Sequence, residues 1–97
     1  MRADFKDENL RNVEVDAKAD CGRGQAVTKA FRKRMQSIRA ALDERDFYAQ
    51  KSLHFEKLQG EEGLRSMRLN DQWRLMLEIV GEAPDKTMWI LGIEDYH

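Results

Sequence analysis

The chain has 97 residues, 41% hydrophobic and 36% charged, with a formal net charge of −1. That length predicts a single domain over 1–97 and leaves no room for a second core; folding would bury about 60% of the unfolded surface. A near-neutral balance argues against an indiscriminate nucleic-acid binder. No apolar run approaches the roughly 18 residues of a membrane span. The N-terminal Met1-Arg2-Ala3-Asp4-Phe5 lacks the apolar stretch of a signal peptide, so no membrane partner and a cytoplasmic location are expected.

Along the chain, Phe5 reads as the opening of a short strand, and Leu10 and Val13 as the buried side of a short helix after it. The lone Cys21 lies in the small, polar run 19–24, which reads as a loop in a reducing compartment. From Gln25 to about Asp43, Val27, Phe31, Met35, Ile38 and Leu42 recur at helical spacing and predict one amphipathic helix. Its other faces are basic. Residues 23–40 hold six Lys or Arg and no acid, and Lys29, Arg32, Lys33 and Arg39 are a candidate ribosome or RNA patch on an otherwise neutral molecule.

The period then changes. Residues 67, 69, 73, 75, 77 and 79 are apolar, whereas 68, 74 and 78 are charged, which is strand alternation. A three-residue loop at 70–72 keeps both runs in phase and pairs Leu69 with Trp73 and Arg68 with Arg74; a two-residue turn would scramble the faces. Two guanidiniums placed side by side repel unless an anion or carboxylate lies between them, so the pair is either a phosphate site or is neutralised by nearby acids. After the Pro84 turn, residues 87–93 are nearly continuously apolar, as in a strand covered on both sides or central in a sheet. The sequence ends in the ionisable cluster Glu94-Asp95-Tyr96-His97.

Cleaving RNA through its ribose 2′-hydroxyl needs a base, an acid and fixed cations around the phosphate. Glu56 and His54 are candidate bases, and they share a face if their segment is extended. His97 is a candidate acid, with the terminal carboxylate beside it favouring the imidazolium form. Arg68, Arg74 and Lys57 are candidate cations, and Tyr96 has the character to stack on a base or orient the phosphate. No metal or other cofactor is implied.

Leu53 to Gly60, then Ser66-Met67-Arg68-Leu69-Asn70-Asp71-Gln72-Trp73-Arg74-Leu75, then Ile93-Glu94-Asp95-Tyr96-His97, resemble in order the HigB-type toxins of the RelE/ParE superfamily. The resemblance implies an α+β, RelE-like fold of two N-terminal helices packed on a small twisted antiparallel β-sheet. It also implies the toxin of a type II toxin–antitoxin pair, cleaving translated mRNA on the ribosome. The implied partners are a helix-turn-helix, HigA-like antitoxin, the ribosome and mRNA, and operator DNA through the antitoxin complex only.

Carried over by residue, the resemblance gives catalytic roles to Glu56, Arg74, Tyr96 and His97, and phosphate or substrate contacts to Arg68, Lys57, His54 and Asp95. Anchored on the histidine instead of the glycine, the alignment makes His54 the base. Relatives commonly carry lysine at Gln59, a departure that implies either substitution by Lys57 or Arg65 or a lower activity. Two other readings stand beside this one: a ParE-like inhibitor that binds gyrase without chemistry, and a catalytically degenerate, antitoxin-binding corepressor.

Overall fold

A computed structural model of the chain describes residues 1–60 and 63–95. In chain order, β1 (Arg2–Phe5) leads to α1 (Glu8–Val15), α2 (Gln25–Ala40), α3 (Arg45–Ala49) and a 3₁₀ turn (Lys51–Leu53). Then come β2 (Glu56–Lys57), β3 (Leu64–Arg68), β4 (Trp73–Val80) and β5 (Thr87–Asp95). The strands form one sheet in the order β1-β5-β4-β3-β2. The sheet is mixed, not purely antiparallel as expected: β1 runs parallel to β5, with Arg2 opposite Thr87 and Phe5 opposite Ile90. A parallel neighbour requires a long crossover, and the helical half of the chain supplies it.

The stripe on α2 is buried as its spacing predicts, with Val27, Phe31, Met35 and Ile38 all in the core. The helix stops earlier than expected. It ends at Ala40, and Leu42 is 91% exposed instead of continuing the stripe. At this point the chain turns away: Leu42 N donates to the Asp46 carboxylate at 2.9 Å, starting the third helix, α3, which the periodicity did not reveal. Phe47 of α3 packs against Phe55 with ring centroids 5.2 Å apart, and this contact carries the chain toward β2. Phe5 closes β1 rather than opening it, and Leu10 and Val13 are the buried residues of α1.

The β3–β4 hairpin has the expected register. Leu69 N donates to Trp73 O at 2.9 Å, Arg68 lies opposite Arg74, and the Asn70 side chain accepts from the backbone of Gln72 and Trp73 at 2.9 and 2.8 Å. Asparagine suits this turn because its short amide satisfies two backbone donors that no strand partner reaches. Between β4 and β5 the register slips. Leu75 faces Ile93 and Met76 faces Gly92, but Leu77 faces Ile90, so Leu91 is an extra residue on β5. This bulge inverts the alternation along β5. Met88 and Ile90 point to the helices on one side of it, Ile93 does so on the other, and Glu94 joins Arg74 on the opposite face.

Two arginines of the basic run hold the helices together. Arg32 donates to the carbonyls of Val13, Asp16 and Ala19 at 2.9, 2.8 and 2.9 Å, satisfying the end of α1 and the loop after it. Arg39 forks onto Glu14 at 2.6 and 2.7 Å. Lys33, by contrast, is exposed. Replacing Arg32 by Met is therefore expected to cost about 2 kcal/mol of unfolding free energy, against less than about 0.5 kcal/mol for Lys33→Met, as read from urea midpoints at constant slope. Equal midpoints for the two variants would contradict the tie.

On the far side of α2, Lys86 in the β4–β5 turn donates to Glu44. This hydrogen bond holds the Glu44 carboxyl below its ordinary value of 4.5. A depressed carboxyl contributes stability above its unfolded pKa, and that contribution disappears as the pH falls through the folded value. Lys86→Gln should thus be less stable than the parent at pH 7, with the gap closing on acidification below 4.5; a gap that is constant with pH would refute the linkage.

Candidate functional site

The face of the sheet away from the helices carries Ser66, Arg68, Arg74, Met76 and Glu94, with Glu56 opposite Ser66 on the short edge strand. At its centre is Arg74. Its side chain is 8% exposed, and a charge so placed must find acceptors. Its Nε donates to Ser66 Oγ at 2.9 Å, a terminal nitrogen donates to the His54 carbonyl, and the Glu56 carboxylate lies 3.8 Å away. Ser66 is itself buried, so its hydroxyl is committed to this role.

The His54 carbonyl is presented by a left-handed residue, φ 46° and ψ 51°, at the end of the 3₁₀ turn. This corrects the expectation of an extended segment with His54 and Glu56 side by side. The chain bends at His54 before β2 begins, and the two side chains line different recesses. One recess, about 200 Å³, is lined by Glu56, Leu58, Ser66, Arg74, Met76, Glu94 and Asp95. The other, about 230 Å³, is lined by His54, Arg68, Asn70, Asp71 and Arg74. Arg74 is common to both.

The acids that answer the facing guanidiniums are Asp71, paired with Arg68, and Glu56 beside Arg74. Glu94, the Cα partner of Arg74, and Asp95 add two further acids to the lining of the Glu56 recess. Sequence reasoning passed over Glu94 and Ser66 as site residues. The signal for Ser66 was present in its alternation with Arg68; for Glu94 it was hidden by the bulge at Leu91. Asp95 lies opposite Trp73 and accepts from the Gln72 amide at 3.3 Å. Lys57 is Cα-paired with Arg65, so strand alternation turns it from Glu56 toward the other face. Tyr96 and His97 lie outside the described residues.

The structure does not bring Lys29, Arg32, Lys33 or Arg39 to these recesses. Helix α2 packs on the opposite side of the sheet, where Lys29 and Lys33 are exposed and Arg32 and Arg39 hold α1. Among the described residues, no group of three or more His, Cys, Asp or Glu side chains is arranged to hold a metal ion.

The chain is similar in fold to a solved structure, the YoeB/ParE toxin from Agrobacterium tumefaciens. The two superpose with a TM-score of 0.59 over 100% of both chains, at 13% sequence identity. No family model matches the chain, and no curated protein does. The likeness therefore rests on the α+β architecture, three helices against a five-stranded mixed sheet, and not on shared sequence.

The buried guanidinium gives the site a direct test. Ser66→Ala removes the Ser66 hydroxyl that accepts from Arg74 Nε on a side chain only 8% exposed, and is expected to lower the unfolding free energy by about 1–3 kcal/mol in urea titrations. A variant as stable as the parent would mean that Ser66 does not hold Arg74.

Proposed function

We propose that this protein is the toxin of a toxin–antitoxin pair, a ribosome-dependent endoribonuclease resembling the HigB-type proteins, with a helix-turn-helix antitoxin as its inhibitor. The observation that carries the reading is the recess in which the exposed Glu56 carboxylate stands 3.8 Å from the buried Arg74 guanidinium. A carboxylate beside a fixed cation is the minimum needed to take a proton from a nucleophile while holding the phosphate it attacks.

In this mechanism Glu56 accepts the proton of the ribose 2′-hydroxyl, and the 2′-oxygen attacks the adjacent phosphorus. The bond to the 5′-oxygen breaks, the leaving oxygen takes a proton, and the products are a 2′,3′-cyclic phosphate and a free 5′-hydroxyl. Arg74 offsets the charge that develops on the phosphate. His97 is proposed as the proton donor and Tyr96 as the group that orients the phosphate. His54 contributes its carbonyl to Arg74 and lines the neighbouring recess, so we assign the base to Glu56.

The deciding experiment is primer extension on a defined mRNA in a reconstituted translation reaction, with and without ribosomes, comparing the parent with Glu56→Gln. Glu56 is the better probe than Arg74, because removing Arg74 would also unsettle Ser66 and His54. Cuts that need ribosomes and fall by about a hundredfold or more in Glu56→Gln are expected. Undiminished cuts would remove Glu56 from the chemistry. No cuts, together with inhibition of gyrase supercoiling by the purified protein, would replace the nuclease by a ParE-like inhibitor.

A further inference from the structure

Helix α2 sends one more arginine to the sheet, and its position has nothing to do with binding α1. Arg34 donates from Nε to the carbonyl of Arg68 at 2.8 Å. The reason is the brevity of β2, which meets β3 only through Glu56–Ser66 and Lys57–Arg65. The Arg68 carbonyl at the end of β3 therefore has no strand to accept from, and a guanidinium takes that place. One donor of the fork is used in this way. Among the described residues no carboxylate pairs with Arg34.

Arg68 has a weak partner of its own. Its acid, Asp71, is 95% exposed, and a pair so open to solvent contributes little. Burial first, and then the charge of Arg68, pull the Arg34 guanidinium below its ordinary value. Arg34 is fastened by its Nε to the backbone at the strand end whose Arg68 side chain lines a recess with Arg74, His54, Asn70 and Asp71. Like charges fixed together by a backbone contact are an anion site in waiting, because an anion placed between them removes the repulsion and gains charge-assisted hydrogen bonds.

We infer that Arg34 and Arg68 form a second anion subsite, a clamp for one backbone phosphate of single-stranded RNA adjacent to the phosphate at Arg74. The inference rests on the nuclease function proposed for the Arg74 site and extends it: Arg74 handles the phosphate that reacts, and the clamp sets which neighbouring nucleotide is held. Because Arg34 comes from α2 and Arg68 from β3, the clamp also joins the helical layer to the open face of the sheet.

The test uses a fluorescein-labelled, 2′-O-methyl RNA oligomer that cannot be cleaved, with binding followed by anisotropy across a series of KCl concentrations. Arg34→Gln keeps a donor for the Arg68 carbonyl and removes the charge. It should weaken binding about tenfold at low salt and flatten the slope of log K against log salt by about 0.7. Arg68→Gln should do the same, and the double variant should lose little more than either single one, since both side chains hold one phosphate. Arg34→Lys should recover most of the slope, which a purely structural role would not predict, while Lys6→Gln, at an exposed lysine outside the basic run, should leave it unchanged.

Matching results for Arg34→Gln and Lys6→Gln would overturn the clamp, as would competition by polyglutamate equal to that by unlabelled RNA. If the parent still cuts mRNA on ribosomes in either of those cases, only the clamp falls. A parent that neither binds the oligomer nor cuts would end the nuclease reading and the clamp together.

Discussion

A buried guanidinium organises the open side of this protein. Arg74 sits near the start of β4, on the face that no helix covers, yet it is nearly inaccessible because the segment from His54 to Lys57 folds over it. Removing that charge from water is tolerable only if acceptors surround it. The demand explains several features that look unrelated: a buried serine on β3, a histidine in the left-handed region whose carbonyl faces inward, and an edge strand of only two residues. It also produces two recesses, because the covering segment touches the sheet at Arg74 and leaves space on either flank.

Helix α2 provides the complementary constraint from the other side. Its apolar stripe packs on the sheet, and its arginines are shared out among neighbours: Arg32 and Arg39 to α1 and its loop, Arg34 to the end of β3. A small protein with a thin core gains from such ties, since each long side chain buries its stem along apolar surface while its head satisfies carbonyls that no secondary structure reaches. Within the basic run, Arg32, Arg34 and Arg39 are thus separate fastenings, while Lys29 and Lys33 face solvent.

The similarity to the Agrobacterium tumefaciens toxin is one of fold. At 13% identity over the full length, the arrangement of layers is held in common while most side chains differ. An architecture of helices on one face of a sheet leaves the other face open, and what that face does depends on the residues placed there rather than on the fold.

Much of this is legible locally. The helical stripe from Val27 to Ile38 and the alternation of residues 67–79 specify their elements by period alone. The Asn70 turn sets its own register because only a three-residue loop keeps the two strands in phase. That phase by itself puts Arg68 opposite Arg74. Glu56 stands out as a carboxylate near a predicted sheet. Other features depend on partners distant in sequence, and no local pattern encodes them. The parallel pairing of β1 with β5 joins residues about eighty-five positions apart. The extra residue at Leu91 is invisible in a run that is apolar throughout, yet it alone turns Glu94 to the face of Arg74. The backbone reversal at His54 answers a guanidinium twenty residues away. Periodicity reports which side of an element is buried; which charge must be satisfied, and by what, is decided only when the elements meet.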